Sequence, residues 1–307
     1  MKDNNEVIKS LNDYVFNNGP LRGNNSTKVS PEKFKNKRAG LSVAWIFQNS
    51  ETEIPAILKD IASFDARLFA LDNFEIILCG PGGDKLIKLI ENNKFSNEIR
   101  ILNYERSNSE LSEFIGIKKN FVILNSRFSK LAILHSRIRI DQYFIDYYLK
   151  NFDFYLSTPR VMIVNNGNKL PYLDLIFLKN YNLVENNNKF LWGVESDWLL
   201  RILKFFYKTY IDGGCLVFNF DKVGALFISE YHKWGYAEDV NLSWRADLMS
   251  FQLTRSDVIV YSDSNKINFY LNPCCKFNFF VFGYRIFVFL KFILPFKFNS
   301  GKSRNKQ

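Results

Sequence analysis

Apolar residues in this chain alternate between short continuous runs and longer stretches in which they recur every three or four positions, from Leu41 onward. Short runs bounded by turn residues predict buried strands, and a spacing such as that of Ile54, Ile57 and Ile61 predicts an amphipathic helix. The pattern predicts strands over 41–47, 74–79, 99–104 and 131–134, and helices over 53–71, 84–91 and 109–120 with an extension to 125. Strands that alternate with helices are typical of a largely parallel sheet, so the sequence predicts an open α/β fold.

The alternation becomes less regular from residue 141 onward. Predicted helices cover 143–151, 198–210 and 239–249, and predicted strands cover 154–164 and 215–220. Residues 1–40 lack apolar periodicity and end in a basic run, which predicts an N-terminal arm. The folded part of the chain is therefore expected to begin at Leu41.

Composition fits a folded protein and places the excess positive charge near the end of the chain. Of the 307 residues, 47% are hydrophobic and 23% are charged, which excludes a disordered or collagen-like chain. The 41 Lys and Arg residues exceed the 31 Asp and Glu residues by ten, and seven of these cations follow Cys275, whereas no acid follows Asp263. A nucleic-acid-binding protein is expected to carry basic residues across its folded body. This distribution favours an anionic membrane surface as a partner, and we expect no binding to nucleic acid.

The segment 276–298 combines nine Phe with isolated cations and Pro295. About 20 residues are enough to span a bilayer, but Arg285 and Lys291 would each cost about 2.5–3.5 kcal/mol at the bilayer centre. Aromatic rings and basic residues both favour the surface of an anionic membrane. Three alternatives for this segment stay open: a segment docked at the membrane interface, a helix that spans the membrane, and a buried element or oligomer contact. The sequence predicts a membrane-associating basic tail over 266–307.

Four cysteines, Cys79, Cys215, Cys274 and Cys275, follow no metal-binding spacing, and a disulfide between the adjacent pair would be strained. The N-terminus has no apolar core of the kind found in signal peptides. We therefore expect reduced thiols and a cytoplasmic protein that is peripheral on the inner face of the cell membrane.

Polar residues follow several of the predicted strands. In open α/β sheets, ligands bind at the carboxyl ends of the strands, so these positions are candidates for chemistry. The candidate sets are Gln48-Asn49-Ser50-Glu51, Cys79-Gly80-Pro81-Gly82-Gly83-Asp84, His135-Ser136-Arg137, and Trp234-Gly235-Tyr236-Ala237-Glu238-Asp239 with Gly213-Gly214 upstream. The Gly80–Gly83 segment lacks the spacing of a phosphate-binding loop, which favours a tight turn over a phosphate cradle.

The order of these motifs resembles the family 2 glycosyltransferases of the GT-A fold over about residues 41–250. The resemblance implies a GT-A-like, Rossmann-like open mixed sheet that is flanked by helices. It also implies a nucleotide-sugar-binding half over 41–140 and an acceptor-binding half over 141–265 that contains the Glu-Asp motif.

By this resemblance, Asn49, Glu51 and Asp84 point toward the nucleotide, whereas Lys119, Asn120, His135 and Arg137 lie toward the donor phosphates. Two positions depart from the family pattern. Cys79-Gly80 stands where the family has an acidic pair, and Ser136 stands where some relatives carry an acid between His and Arg.

The resemblance also assigns the acceptor side of the site. Asp239 is expected to act as the base that deprotonates the acceptor hydroxyl, and Glu238 to orient the acceptor. Gly213, Gly214, Trp234 and Tyr236 are expected to bind the acceptor. The alternative for the two acids is ordinary capping at the start of a helix, where Asp and Glu are common.

Metal binding depends on the His135-Ser136-Arg137 triplet. Mg²⁺ and Mn²⁺ prefer oxygen ligands and usually take at least one carboxylate, whereas the triplet offers an imidazole, a hydroxyl and a cation. Three interpretations of the triplet stay open. His135 is a ligand of a divalent cation, Arg137 and Lys119 neutralise the phosphates without a metal, or His135 has only a structural role at the end of a strand.

The sequence as a whole predicts an inverting glycosyltransferase that moves a sugar from a nucleotide-activated donor to a saccharide or lipid-linked acceptor in the synthesis of surface polysaccharide. A degenerate, non-catalytic protein of the same fold, which binds a nucleotide-sugar or a partner enzyme at the membrane, is the alternative, since a fold can persist after its chemistry is lost. A nucleotidyltransferase is disfavoured because no glycine-rich loop with a phosphate-binding Lys follows the first strand.

Overall fold

The computed structural model describes residues 37–91, 99–104, 115–165, 168–171, 174–178, 190–194, 207–209, 213–224, 226–228 and 238–263. The strands are β1 Arg38–Ile46, β2 Phe74–Gly80, β3 Ile99–Asn103, β4 Phe128–His135, β5 Ile138–Arg139, β6 Leu156–Asn165, β7 Asn168–Pro171, β8 Asp174–Leu178, β9 Phe190–Val194, β10 Tyr207–Thr209, β11 Cys215–Asn219 and β12 Leu253–Ser262. The helices are α1 Ser50–Ala62, α2 Gly83–Glu91, α3 Ile115–Asn125, α4 Gln142–Lys150, α5 Phe220–Val223 and α6 Glu238–Leu248, with a 3₁₀ turn at Ala66–Ala70.

Nine strands form one mixed sheet in the order β3-β2-β1-β4-β11-β6-β12-β5, with β7 paired to β6. Strands β3, β2, β1 and β4 run parallel to one another, as the alternation of strands and helices predicted. Strand β11 lies between β4 and β6 and runs antiparallel to both. The expected α/β class with a mixed sheet flanked by helices is confirmed.

Both faces of the sheet are covered, which explains why its central strands are continuous apolar runs. On β1, Leu41, Val43 and Trp45 face one core, which also contains apolar residues of α1, α2 and α4. Ala44 and Ile46 face a second core, which contains apolar residues of α3, α5 and α6. The alternation along β1 therefore separates two helical layers, and the carboxyl ends of β1 and β4 lie side by side, with Ile46 opposite His135.

The chain divides into two compact units, of which one comprises Met1–Tyr172 with Thr209–Asn265 and the other Leu173–Lys208 with Lys266–Gln307. Strands β10, β8 and β9 form a separate three-stranded sheet in that order. The helix predicted over 198–210 is wrong for residues 207–209, which are the strand β10. Helical spacing of apolar residues did not distinguish the two structures there, because the pairing of a short strand depends on distant residues.

Two expected segments, the N-terminal arm over 1–40 and the tail over 266–307, lie almost entirely outside the described residues. Within the part of the chain that is described, no helix has both the length and the apolar character needed to cross a membrane.

Candidate functional site

A cavity of about 160 Å³ opens at the carboxyl ends of β1 and β4. This edge of the sheet is where ligands bind in open α/β folds. Four elements contribute to its wall: the end of β1 with the loop after it, helix α1, helix α3, and the turn that follows β4. The lining residues are Ile46, Phe47, Gln48, Glu53, Ile115, Lys118, His135, Ser136 and Arg137.

Glu53 joins two of these elements through its carboxylate. One oxygen accepts hydrogen bonds from the backbone N–H groups of Gln48 at 2.7 Å and Asn49 at 2.8 Å. The other oxygen accepts a hydrogen bond from the Ser136 hydroxyl. Glu53 thus fixes the loop after β1 against the turn after β4. Sequence reasoning missed this residue, although a Glu that reaches back to the start of its own helix is a common capping signal.

Lys118 brings a buried cation to the cavity wall. Its side-chain ammonium donates a hydrogen bond to the Phe47 carbonyl at 2.6 Å and lies 5.8 Å from the centre of the Tyr104 ring. Burial lowers the pKa of Lys118 below its usual 10.5, and the nearby Cys79 and Glu53 oppose that shift. An anionic ligand would relieve the burial penalty of this group, because it would supply the missing opposite charge.

Sequence reasoning selected Lys119 from the same dipeptide as the phosphate contact. Neighbouring residues on an α-helix point about 100° apart, so Lys118 and Lys119 face different surroundings. Lys118 lines the cavity, whereas the Lys119 ammonium donates to the Gly213 carbonyl at 2.7 Å and to Glu238 at 2.9 Å. Lys119 is fully buried and forms an internal ion pair with Glu238, whose side chain is 8% exposed.

The Arg137 guanidinium donates a hydrogen bond to Nδ1 of His135 at 2.9 Å. A guanidinium has no acceptor, so Nδ1 of His135 must accept this bond and cannot carry a proton. This arrangement leaves Arg137 as the cation of the triplet.

These residues do not fit a divalent cation. A metal bound at Nδ1 of His135 would need the lone pair that this nitrogen uses to accept the hydrogen bond from Arg137. A guanidinium beside the site would also repel a second cation. Across the described residues, no three His, Cys, Asp or Glu side chains are grouped as metal ligands. The expectation of His135 as a metal ligand gains no support from this geometry.

Two glycines connect the β4 end to the acidic pair at the start of α6. The backbone N–H of His135 donates to the Gly214 carbonyl at 2.9 Å, next to the antiparallel pairing of β4 with β11. The backbone N–H of Gly213 donates to a carboxylate oxygen of Asp239 at 3.0 Å. Because Lys119 binds both Gly213 and Glu238, six of the sequence-predicted residues form one contiguous cluster.

The close approach of Asp239 requires glycine at position 213. A Cβ atom at this position would lie 2.8 Å from a carboxylate oxygen of Asp239 and 3.0 Å from its Cβ. The chain therefore keeps one oxygen of the Asp239 carboxylate in a fixed hydrogen bond, at the start of a helix whose N-terminus favours negative charge.

The remaining donor candidates occupy other places. Asn49 caps α1 by accepting hydrogen bonds from the backbone N–H groups of Glu51 and Thr52. Glu51 is exposed and lies 3.5 Å from Lys85, and Asp84 is exposed in the first turn of α2. None of Asn49, Glu51 and Asp84 lines the cavity.

Asn120 has a structural partner. Its side-chain amide donates to the Ile228 carbonyl and accepts from the Ile228 N–H, both at 2.8 Å, so it ties the segment 226–228 to α3. The acceptor candidates Trp234 and Tyr236 lie outside the described residues, and their assignment stays a prediction.

The Gly80–Gly83 segment is a tight, closely packed turn. A Cβ at Gly80 would lie 2.6 Å from the Phe47 ring, and one at Gly82 would lie 2.9 Å from the Ser50 hydroxyl. Gly82 and Gly83 both have positive φ angles, of 135° and 40°, which glycine adopts most readily. The segment packs against the loop after β1 and in this way supports one side of the cavity.

No family model and no curated protein matches the chain. Among solved structures, it is similar to residues 1–349 of TarS from S. aureus, with 15% identity and a TM-score of 0.47 over 82% of this chain and 65% of that chain. A second TarS structure gives 15% identity and a TM-score of 0.47 over 83% of this chain and 43% of that chain. GalNAc-T7, crystallised with UDP, GalNAc and Mn²⁺, gives 13% identity and a TM-score of 0.51 over 74% of this chain and 44% of that chain.

The chain thus spans less than two thirds of the length of each of these proteins. At identities this low, structural similarity bears on the fold and leaves the chemistry to the residues of the site. The similarity to GalNAc-T7 shows that this chain has an α/β fold that resembles the fold of the GT-A glycosyltransferases.

Proposed function

We propose that the protein is an inverting glycosyltransferase that moves a sugar from a nucleotide-activated donor to a saccharide or lipid-linked acceptor in the synthesis of surface polysaccharide. The observation that carries this proposal is the cluster of His135, Gly213, Gly214 and Asp239. It joins the wall of a cavity at the carboxyl edge of the sheet to a carboxylate at the start of α6.

The buried ion pair distinguishes the two acids of the cluster. Glu238 is neutralised by Lys119, whereas Asp239 is partly exposed and is oriented by the Gly213 N–H. A general base needs a defined position and access to the proton that it removes. Asp239 meets both requirements better than Glu238, whose main effect is to fix α6 against α3.

The proposed reaction is a single displacement. The acceptor hydroxyl oxygen forms a bond to the anomeric carbon while the bond between that carbon and the donor phosphate oxygen breaks. The electron pair of the broken bond stays on the phosphate, and the hydroxyl proton passes to the Asp239 carboxylate. Attack on the face opposite to the leaving group inverts the configuration at the anomeric carbon.

The fold supports this proposal through the relative that was crystallised with UDP and GalNAc, which carries both a nucleotide and a sugar on the same type of fold. We infer that a nucleotide-sugar enters this chain at the carboxyl edge of its sheet, where the cavity lies.

Substitution of Asp239 by Asn tests the proposal. The amide keeps the size and the hydrogen bond from Gly213 but cannot take up a proton, so turnover of a nucleotide-sugar should fall by about 10²–10⁴-fold. Donor affinity, measured by calorimetry, should change little. Asp257→Asn, at an exposed surface residue, removes the same charge and should leave turnover unchanged.

An Asp239→Asn variant with the wild-type rate would overturn the base assignment. If the wild-type protein binds a nucleotide-sugar but produces no free nucleotide from it with any acceptor tested, the result would instead favour the non-catalytic alternative.

We also propose that residues 266–307 hold the protein at the inner face of an anionic membrane, where a lipid-linked acceptor would be presented. The support comes from the sequence, since eight cations and ten Phe are combined there with no acid after Asp263. Aromatic and basic residues together favour the interface of such a membrane.

A further inference from the structure

We propose that Lys118 and Arg137 bind the diphosphate of the donor directly and take the place of a divalent cation. This inference rests on the proposed function and concerns the donor side of the same site. The family resemblance included Lys118 in the basic element Lys118-Lys119-Asn120 but assigned the phosphate contact to Lys119. The cavity is what brings Lys118 and Arg137 together.

The charged groups of the cavity wall favour an anion. The wall contains two cations, Lys118 and Arg137, and one carboxylate, Glu53. Glu53 already accepts hydrogen bonds from two backbone N–H groups and from the Ser136 hydroxyl. Its negative charge is therefore engaged within the protein, and the two cations face the cavity with one positive charge in excess.

Both cations keep hydrogen-bond donors for a ligand. A guanidinium has five N–H donors, and His135 takes one from Arg137. An ammonium has three, and the Phe47 carbonyl takes one from Lys118. Hydrogen bonds from cations to phosphate oxygens are among the strong ones in proteins, so two such residues suffice to hold a diphosphate.

The two cations come from different elements, so the fold itself brings them together. Lys118 lies on α3 and Arg137 in the turn after β4, while Glu53 of α1 fixes that turn through Ser136. The cavity of about 160 Å³ is smaller than the roughly 300–1,000 Å³ of most small-molecule sites, and it suits the phosphate groups better than a whole donor.

The bond between Arg137 and His135 separates this site from one that binds a metal. It uses the lone pair of Nδ1 of His135, so that this nitrogen is not available to a cation. Ser136 offers a hydroxyl and uses it for Glu53. The side chains of Lys118 and Arg137 therefore neutralise the leaving diphosphate. Their fixed positions place positive charge where negative charge develops in the reaction.

Calorimetric binding of UDP, GDP, ADP and inorganic pyrophosphate to the full-length protein, first with EDTA and then with Mn²⁺, tests the proposal. At least one nucleoside diphosphate should bind in EDTA with an affinity within about twofold of that in Mn²⁺. Arg137→Met and Lys118→Met should each weaken binding in EDTA by at least about tenfold, because each removes a charge-assisted hydrogen bond. Lys88→Met, at an exposed residue of α2, should stay within about twofold of the wild type.

Arg137→Lys and Lys118→Arg keep the charge and should recover part of the affinity, which separates loss of a phosphate contact from loss of folding. Binding that disappears in EDTA and returns with Mn²⁺ would overturn the inference and leave the proposed function intact. Wild-type affinity in both Met variants would overturn it as well. Failure of every nucleotide to bind in either condition would overturn the proposed function together with the inference.

Discussion

The contact between Gly213 and Asp239 shows how one backbone position can control a candidate catalytic group. The Gly213 N–H holds a carboxylate oxygen of Asp239 at 3.0 Å, and a side chain at residue 213 would occupy the same space. Gly213 does not line the cavity. Its effect on the reaction is therefore expected to come through the placement of the base.

Gly213→Ala should displace the Asp239 carboxylate and lower the turnover number by at least about tenfold, since a misplacement of about 1 Å can cost about a hundredfold in rate. Donor affinity should change little, because the cavity wall is unaltered. Steady-state kinetics combined with donor calorimetry would measure both quantities.

Gly224→Ala provides the control for this substitution. Gly224 has a φ of 61°, so Ala would strain the backbone, but no atom lies within 4 Å of the added Cβ. This variant should lose about 1 kcal/mol of stability and keep its turnover number. Equal turnover in the two variants would contradict the positioning role of Gly213.

The candidate site could be predicted in part from the sequence. Whether a residue was predicted or missed depends on how that residue acts in the site. His135 follows an apolar run, Gly213 shortly precedes one and Asp239 lies at the start of a helix, and such positions are visible in a one-dimensional pattern. Lys118 was not selected because the rotation of a helix about its axis decides which of two adjacent lysines faces the cavity. Glu53 acts through backbone groups and through Ser136, 83 positions away, which no local pattern reveals.

At the scale of elements, the end of helix α4 depends on a buried lysine from the sheet. The last carbonyl groups of a helix have no partner within it. Lys130 of β4 donates hydrogen bonds to the carbonyls of Tyr148 and, at 2.8 Å, Leu149, and its ammonium lies 3.5 Å from the centre of the Phe152 ring. This side chain fixes α4 against the central strand and, through β4, supports the turn that carries Arg137.

The pKa of Lys130 predicts a pH dependence of stability. Burial lowers this pKa from 10.5 to about 8. Between these two values the unfolded chain binds more protons at Lys130 than the folded chain does, so the Lys130 contribution to the free energy of unfolding rises with pH across the window from about 8 to 10.5. Relative to Lys130→Met, the wild type should gain about 1–3 kcal/mol over that window, as measured by urea unfolding at a series of pH values.

Lys150→Met is the matched control, because it removes the same charge from an exposed residue at the same end of α4. Its free energy of unfolding should parallel that of the wild type from pH 8 to 10.5. A constant difference between wild type and Lys130→Met would refute the predicted titration.

Elements also differ in how well sequence predicts them. The parallel strands were recognised because both faces are buried and their apolar runs are continuous. The insertion of β11 between β4 and β6 depends on pairing between residues far apart in the chain, such as Val217 with Ala132 and Ser157. Hydrophobic patterns do not encode such pairing, and for this reason they also misassigned Tyr207–Thr209.

At the scale of the whole molecule, the distribution of charge distinguishes the residues after Cys275 from the rest of the sequence. Seven of the ten net positive charges follow residue 275, whereas the residues before it are nearly balanced. Charge that is concentrated in one segment can attract the protein to an anionic surface while the rest of the body carries little net charge. A membrane-docked enzyme with its acceptor in the same membrane would benefit from this arrangement.

The basic ending of the tail makes this proposal testable in the full-length protein. Each Lys or Arg near an anionic surface contributes about 1 kcal/mol, so replacing Lys302, Arg304 and Lys306 together by Gln should weaken binding to vesicles that contain phosphatidylglycerol by about a hundredfold. Sedimentation with such vesicles at low and high salt would measure the affinity, and the difference should shrink at high salt because exposed charges are screened. A control protein with Gln at the exposed positions Lys59, Lys88 and Lys150 loses the same charge and should sediment like the wild type. An equal loss of vesicle affinity in both triple variants would show that the net charge of the protein, and not its tail, attracts it to the surface. If neither variant bound the vesicles more weakly than the wild type, the proposed electrostatic role of the tail would be wrong.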